Sequence, residues 1–329
     1  MTKRKDDHIN LAATSALATI RADNRFNYEP LLKVQPAKLP PVHFLGKEMK
    51  HPLWISSMTG GSAKANRISH VLAEAASEFG LGMGLGSCRT LLNSDQYFDD
   101  FNLRPILGNK LPFYANLGIA QVEQLLINKE FSRIAELLDK LDADGLFVHV
   151  NPVQEFLQPE GDVLRRPAHE TIAQLVDETA GAFKIIVKEV GQGIGPQSLA
   201  KLLQIGVDGI EFGAFGGTNF ASIEITRNQN GYAAHLFPLS TFGHNAEEMV
   251  SLLNGLYDVH QKPVQLIISG GIKNFLDGYY LVQKSKMPAV YGMAGTVLRH
   301  AMGSKNDLFD FIKAEVEGYN FASAYLALK

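Results

Sequence analysis

The chain has 329 residues, 46% of them hydrophobic, and a net charge of −3. Such a chain can bury a full core, and its charge is too mild to suggest a nucleic-acid or polyanionic partner. Its single cysteine, Cys88, excludes an internal disulfide and a cysteine-rich metal site and fits a reducing cytoplasm. No apolar run has membrane-spanning length, and Met1–Ile20 is charged early, without the apolar centre of a secretory signal.

Residues 1–50 read as an N-terminal extension, expected to cover the mouth of the main fold. Arg4-Lys5-Asp6-Asp7-His8 opens it, a short helical pattern follows at Leu11, Ser15 and Ala18, and Pro36, Pro40 and Pro41 break any helix beyond. Residues 51–329 then alternate strands with helices. The predicted strands are Leu53–Met58, Leu81–Ser87, Pro112–Asn116, Gly145–Asn151, Lys184–Val190, Gly209–Gly213, Val264–Ser269 and Ala289–Met293. The clearest helix sets Ile68, Val71, Leu72, Ala75, Ala76 and Phe79 on one stripe. Further helices are predicted at Glu130–Leu141, His169–Ala182, Pro196–Ile205, Ala246–Val259, Asn274–Lys284 and Asp307–Tyr319. Eight such units predict an α/β chain folded as a (β/α)8 TIM barrel in one domain. Continuous apolar runs such as Ile185-Ile186-Val187 suit strands covered on both faces. A doubly wound sheet would carry a Gly-x-Gly-x-x-Gly turn after its first strand, whereas this strand ends in Ser57-Met58-Thr59-Gly60-Gly61.

Barrel chemistry gathers at the C-terminal strand ends. The fourth strand is the most informative, because its apolar run leads into His149, Asn151, Gln154 and Glu155. On a strand, Gln154 and Glu155 would face opposite sides; in a loop both can face inward. Glu155 is a candidate for Mg²⁺, which favours one or two carboxylates plus ligand phosphates. A lone glutamate is commonly solvated and a lone histidine commonly a satisfied core residue; the company of Asn151 and Gln154 is what points to a site.

Lys188 stands where its strand leaves the core, so its ammonium needs an anionic or electron-rich neighbour. Glu189 or Glu211 would serve as a salt-bridge partner. A flavin would serve too, because a cation near its N1 edge stabilises the reduced, anionic ring. Gly270-Gly271 and Ala294-Gly295 follow strands seven and eight, where backbone N–H groups at a helix start favour a phosphate. Either pair alone is an ordinary tight turn. Arg4, Lys5 and Arg89 would bind a diphosphate if the N-terminus folds over the mouth. Otherwise they form a basic tail and a surface charge.

With these pieces in order, the chain resembles the type 2, FMN-dependent isopentenyl-diphosphate isomerases over nearly its whole length. The matching pieces are Arg4 to His8, Met58-Thr59-Gly60-Gly61, Gly86-Ser87, Ala115 to Gly118, His149 to Asp162, Lys188 to Gly191, Gly216-Gly217-Thr218-Asn219, Ser269-Gly270-Gly271 and Gly292 to Gly295. The resemblance implies a flavin barrel that interconverts isopentenyl and dimethylallyl diphosphate. It implies FMN kept reduced by NADPH or another donor, together with Mg²⁺. Carried over residue by residue, FMN contacts fall on Ser57, Met58, Thr59, Ser87, Asn116, Lys188, Thr218, Gly270, Gly271, Ala294 and Gly295. Substrate contacts fall on Arg4, Lys5, Arg89, His149, Asn151 and Gln154, with Glu155 holding the metal. Gln154 and His149 are the implied catalytic side chains. Reduced flavin is the implied acid–base group, since an amide such as Gln154 is no conventional base. Family likeness also implies a homotetramer or octamer. At two places the chain departs from the family pattern. Cys88 stands where a glutamine often follows Gly-Ser, and His235–Thr241 lacks a tryptophan–glycine pair.

Two other functions fit a flavin barrel. An oxidoreductase of the 2-hydroxy-acid oxidase type needs a histidine base and paired arginines around a carboxylate; the pair has no clear counterpart here, and Gln154-Glu155 would be unexplained. A non-catalytic flavin- or phosphate-binding protein would have no need of Gln154, Glu155, Arg4 and Lys5.

Overall fold

The computed structural model describes residues 2–12, 15, 22–34, 39–57, 63–228, 231–260 and 263–329. Three short strands come first: β1 (Phe26–Tyr28), β2 (Val42–Phe44) and β3 (Lys47–Met49). The next eight are β4 (Leu53–Ile55), β5 (Gly82–Gly84), β6 (Phe113–Gly118), β7 (Gly145–His149), β8 (Lys184–Lys188), β9 (Gly209–Glu211), β10 (Gln265–Ser269) and β11 (Ala289–Met293). They pair in parallel and in sequence order, and β11 returns to β4 to close the barrel. A last strand, β12 (Leu326–Leu328), pairs antiparallel with β1 and ties the extension to the C-terminus. The TIM barrel predicted from the apolar runs is therefore the fold observed. All seven predicted barrel helices form, within a few residues of their expected bounds. The helix Ile119–Ile127 has no counterpart in the sequence pattern; it starts on the residue after its strand end, leaving no turn to mark it.

Side chains alternate along the strands, and the barrel interior fills accordingly. Trp54, Tyr114, Phe147, Ile186, Ile267 and Val290 form one buried cluster with Phe44, Leu45 and Met49 from the β2–β3 hairpin. Their neighbours Leu53, Ile55, Leu146, Val148, Leu266 and Ile268 belong to the larger core between strands and helices. Trp54 needs Gly82 beside it, because a Cβ there would come within 2.2 Å of the indole. The hairpin seals the N-terminal end of the barrel. Leu45 N–H donates to Gln265 Oε1 (2.6 Å), and Lys47 pairs with Asp144 (2.5 Å), both at strand starts. So residues 42–49 of the extension lie at the end opposite the mouth. The first helix spans Thr2–Ala12, ahead of the expected pattern, and residues 3–12 are exposed. Ser15 is not helical and Ala18 lies outside the described residues. No helix among the described residues is long and apolar enough to cross a membrane.

The C-terminal helix Lys305–Tyr325 buries Glu315 beside Tyr291, whose hydroxyl donates to it at 3.5 Å. Burial pushes the Glu315 carboxyl from 4.5 up to about 7. The folded value lies above the unfolded one, so stability is complete below 4.5 and declines as pH rises towards 7. We expect Glu315→Gln to melt a few degrees above the parent at pH 8 and no higher than it at pH 4.5. Thermal melts across that range check this, and a pH-independent difference contradicts it.

Candidate active site

At the C-terminal rim a cavity of about 410 Å³ opens between the ends of β4, β8, β9, β10 and β11. Its size suits a small molecule, for which pockets run about 300–1,000 Å³. Ser57, Lys188, Thr218, Gly270, Gly271, Ala294 and Gly295 all line it. Met58 and Thr59 lie outside the described residues. Ser87 and Asn116 do not line this cavity; they stand at the neighbouring ends of β5 and β6.

Lys188 is the buried cation of the cavity. Its ammonium lies 3.7 Å from Glu211 Oε2, with side-chain exposures of 9% and 1%. Of the two carboxylates offered by the sequence, Glu211 is thus the partner. Glu189 turns its carboxylate to its own loop instead, and its Oε2 accepts from the N–H groups of Val190, Gly191 and Gln192 at 2.6 Å and of Gly193 at 3.1 Å. Burial raises the Glu189 carboxyl above its ordinary value, against the pull of those amides. The Lys188–Glu211 gap is too long for a hydrogen bond. Glu211 Oε2 and the hydroxyls of Ser56 and Ser57 have no hydrogen-bond partner among the described residues, and all three residues line the cavity.

The far end of the cavity is built from backbone. Gly270 and Gly271 are left-handed, with φ of +91° and +75°. A Cβ on Gly270 would stand 2.1 Å from the Ala214 carbonyl oxygen, so only glycine fits. This corrects one expectation. Gly270-Gly271 is a turn and not a helix start; the next helix, Phe275–Lys284, begins later, capped by Asn274. Ala294-Gly295 does open a helix, Gly295–Gly303. Arg299 and Lys273 also line this end and were not picked out from sequence. Arg299 had a signal: it lies four residues after Gly295 and so shares its helix face.

Beside the cavity, His149 pairs in register with Lys188 across β7 and β8. Asn116 Nδ2 donates to the Leu85 carbonyl (3.0 Å), which turns its Oδ1 towards His149 Nδ1 at 2.8 Å. That orientation assigns the ring proton to Nδ1 and leaves Nε2 as an acceptor. Burial, helped by the charge on Lys188, pushes the His149 pKa down to about 3, so the ring is neutral. Cys88, next to Ser87, is fully buried and its thiol is pushed up to about 12 by that burial, so it is no nucleophile.

Gln154 and Glu155 occupy a short helix, Pro152–Leu157, and not the strand or open loop weighed from sequence. Asn151 Nδ2 donates to both Gln154 Oε1 (3.0 Å) and Glu155 Oε1 (2.9 Å). Glu155 Oε2 accepts from the Asp162 N–H at 2.8 Å. Asp162 in turn accepts from Arg89 (2.9 Å) and Gln121 (2.8 Å), so Arg89 borders the cluster with its charge already paired. Gln154 Nε2 donates to Glu224 Oε1 (3.2 Å), and Glu224 is buried and also accepts from Gln158 and Arg227. Glu224 and Gln121 carry no motif, and sequence gave no sign of them. Arg4 and Lys5 sit on the exposed first helix and form no ion pair among the described residues. No group of three or more His, Cys, Asp or Glu suited to a metal occurs among the described residues.

A polar rim on a closed parallel barrel, with a buried cation and two glycine loops at its mouth, defines the site of a TIM-barrel enzyme. Solved structures share the fold. A mandelate oxidase variant with a monooxide FMN adduct matches with a TM-score of 0.59 at 11% identity, over 93% of this chain and 88% of that one. A flavocytochrome b2 variant with benzoylformate gives 0.62 at 14%, over 92% and 76%. No family model matches the chain. Among curated proteins, isopentenyl-diphosphate delta-isomerase of Rickettsia typhi is 32% identical over 304 residues, 91% of this chain and 86% of that protein. Its counterpart from Rickettsia akari is 30% identical over 327 residues, 95% and 90%. The chain belongs to the isopentenyl-diphosphate delta-isomerase family, and its barrel accords with the type 2 branch.

Nitrogen-detected NMR checks the His149 assignment. We expect one histidine to stay neutral from pH 8 down to 5 with its proton on Nδ1. A His149 ring titrating near the ordinary 6.5 contradicts the buried Asn116-locked geometry. Because the folded value lies below the unfolded one, the contribution of His149 to stability falls as pH drops below 6.5.

Proposed function

We propose that this enzyme interconverts isopentenyl and dimethylallyl diphosphate, using FMN at the barrel mouth, kept reduced by NADPH or another donor, and Mg²⁺ against the diphosphate. The observation that carries the reading is the cavity where Lys188 meets three unpartnered polar groups and the glycine loops of β10 and β11. The chain's family membership supports the substrate.

The residues fit both groups. Each buried polar atom left unpaired costs about 1–3 kcal/mol, and the polar edge of a flavin would give Ser56 and Ser57 partners. Lys188 would balance the negative charge of the reduced ring. Gly270, Gly271 and the start of the Gly295 helix would take the phosphate, with Arg299 and Lys273 beside it. Each oxygen of Glu155 accepts one protein hydrogen bond and keeps a lone pair, so one carboxylate plus diphosphate oxygens would hold Mg²⁺.

The net reaction adds a proton to the terminal alkene carbon and removes one from C2, with no redox change. Reduced FMN, when bound, supplies an acid–base group beside the alkene. Asn151 and Glu224 fix the two ends of the Gln154 amide, leaving one N–H and one lone pair to orient the alkene or a water. His149, neutral and with its proton on Nδ1, would offer Nε2 as a hydrogen-bond acceptor to the substrate or a water. Arg4 and Lys5 would close on the diphosphate from the first helix. Arg89 would join them only by leaving Asp162.

The deciding experiment is anaerobic incubation of the FMN-loaded, reduced protein with isopentenyl diphosphate and Mg²⁺, with product analysis; absence of dimethylallyl diphosphate refutes the reading. In the same assay Glu155→Gln should raise the Mg²⁺ requirement about tenfold or more, and an unchanged titration removes Glu155 from the metal. Lys188→Ala should weaken FMN retention about tenfold or more. It also strands Glu211, which costs about 3–5 kcal/mol, so Lys188→Met with Glu211→Gln serves as the fold-sparing control. FMN binding undiminished in that double variant removes Lys188 from the flavin site.

A further inference from the structure

A second cavity, of about 450 Å³, lies outside the barrel, directly behind the active site. One wall is Val150, ahead of the helix that carries Gln154 and Glu155, with Pro152 and Val153 from that helix's first turn. The facing wall is Glu189 and the Gln192–Gly195 loop, which continues from Lys188. Glu189 lines both cavities, and its carboxylate gathers the N–H groups of residues 190–193. The two elements that position the site thus share one hollow at their backs. Nothing in the isomerase chemistry uses it.

The hollow is largely apolar inside, with Glu189 and Gln192 in one wall and the Glu189 carboxylate held by its own loop's amides, and it is basic at its rim. Ile172, Val187, Ile194 and Leu202 line it, with half-exposed Phe242 at its edge. Lys201 stands at the rim, exposed and without an ion pair among the described residues. His169 stands beside it, in the first turn of the helix Ala168–Thr179, and Gln197 in the first turn of Pro196–Ile205. Both helices therefore turn positive ends to the opening, which adds to the charge on Lys201. An apolar interior under a cationic rim matches an amphiphile with one anionic head.

We propose that this cavity is a second ligand site, for a short hydrocarbon chain bearing a carboxylate or phosphate, and that filling it alters flavin retention through the Glu189 loop. The binding claim stands on the cavity alone. The coupling claim rests on the placing of FMN beside Lys188.

Calorimetric titration of the full chain tests both, with and without FMN, using octanoate and octyl phosphate as probes and octanol as the uncharged control. Saturable binding of a charged probe is expected by millimolar concentration, and the better probe identifies the head. Lys201→Glu, an exposed change, should weaken it about fivefold or more. Ile172→Trp should abolish it by filling the hollow. A saturating probe should change the FMN dissociation constant about fivefold. Lack of saturable binding overturns the site. Octanol bound as tightly as octanoate, or no effect of Lys201→Glu, overturns the anionic head. Probe binding with an unchanged FMN constant overturns the coupling. If FMN itself does not bind, the flavin reading and with it the coupling fall, while the FMN-free titration still decides the site.

Discussion

A two-residue step along the strands carries the barrel interior from a dry layer to a polar one. Trp54, Tyr114, Phe147, Ile186 and Ile267 fill the lower layer. Two residues on, and so on the same face, stand Ser56, Asn116, His149, Lys188 and Ser269, with Glu211 level with Lys188 on the next strand. The dry layer and the β2–β3 hairpin shut off water from below. The polar layer must then satisfy itself sideways or from the mouth. Asn116 and His149 satisfy each other. Lys188, Glu211, Ser56 and Ser57 do so only in part, and they face the cavity. The chemistry follows from packing: the side chains left needy are those a polar, planar ligand would complete.

The same layer sets protonation. His149 is neutral because the core beneath and Lys188 beside it both disfavour a second positive charge. The Asn116 amide, itself anchored on Leu85, then decides which nitrogen faces outward. A neutral histidine and a cationic lysine, one strand apart, divide the rim into an uncharged side and a charged one. Gln154 lies on the first side, clamped between Asn151 and a buried carboxylate.

Much of this was legible in the sequence, for physical reasons that also explain the misses. Buried parallel strands must be apolar, so runs such as Ile185-Ile186-Val187 mark several of the barrel strands, and the alternation with helices marks the rest. At β4 and β5 the strands are shorter than their apolar runs, ending at Ile55 and Gly84. The choice between Glu189 and Glu211 was open to alternation: a residue next to an inward lysine points outward. Pro152 after Asn151 marks a helix start, so the strand and loop placements of Gln154 and Glu155 both give way to a short helix. Glu224 lies 70 residues from Gln154, and no local pattern announces a partner at that distance. Arg4 and Lys5 matched a motif, yet a motif does not say where an exposed helix rests.

Glu189 shows how one alternation can serve two compartments. Lys188 faces the barrel mouth, and the next residue must turn its carboxylate to the outer layer. There burial would make a free carboxylate costly, and the loop answers by wrapping its own amides around it. Those amides belong to Val190, Gly191, Gln192 and Gly193; the first two line the active-site cavity and the last two the cavity behind. A loop organised about one oxygen atom moves as a unit, because shifting any one amide strains the others. Under the coupling proposed above, a ligand pressing on Gln192 or Gly193 from behind would act on Val190 and Gly191 in front, beside Lys188.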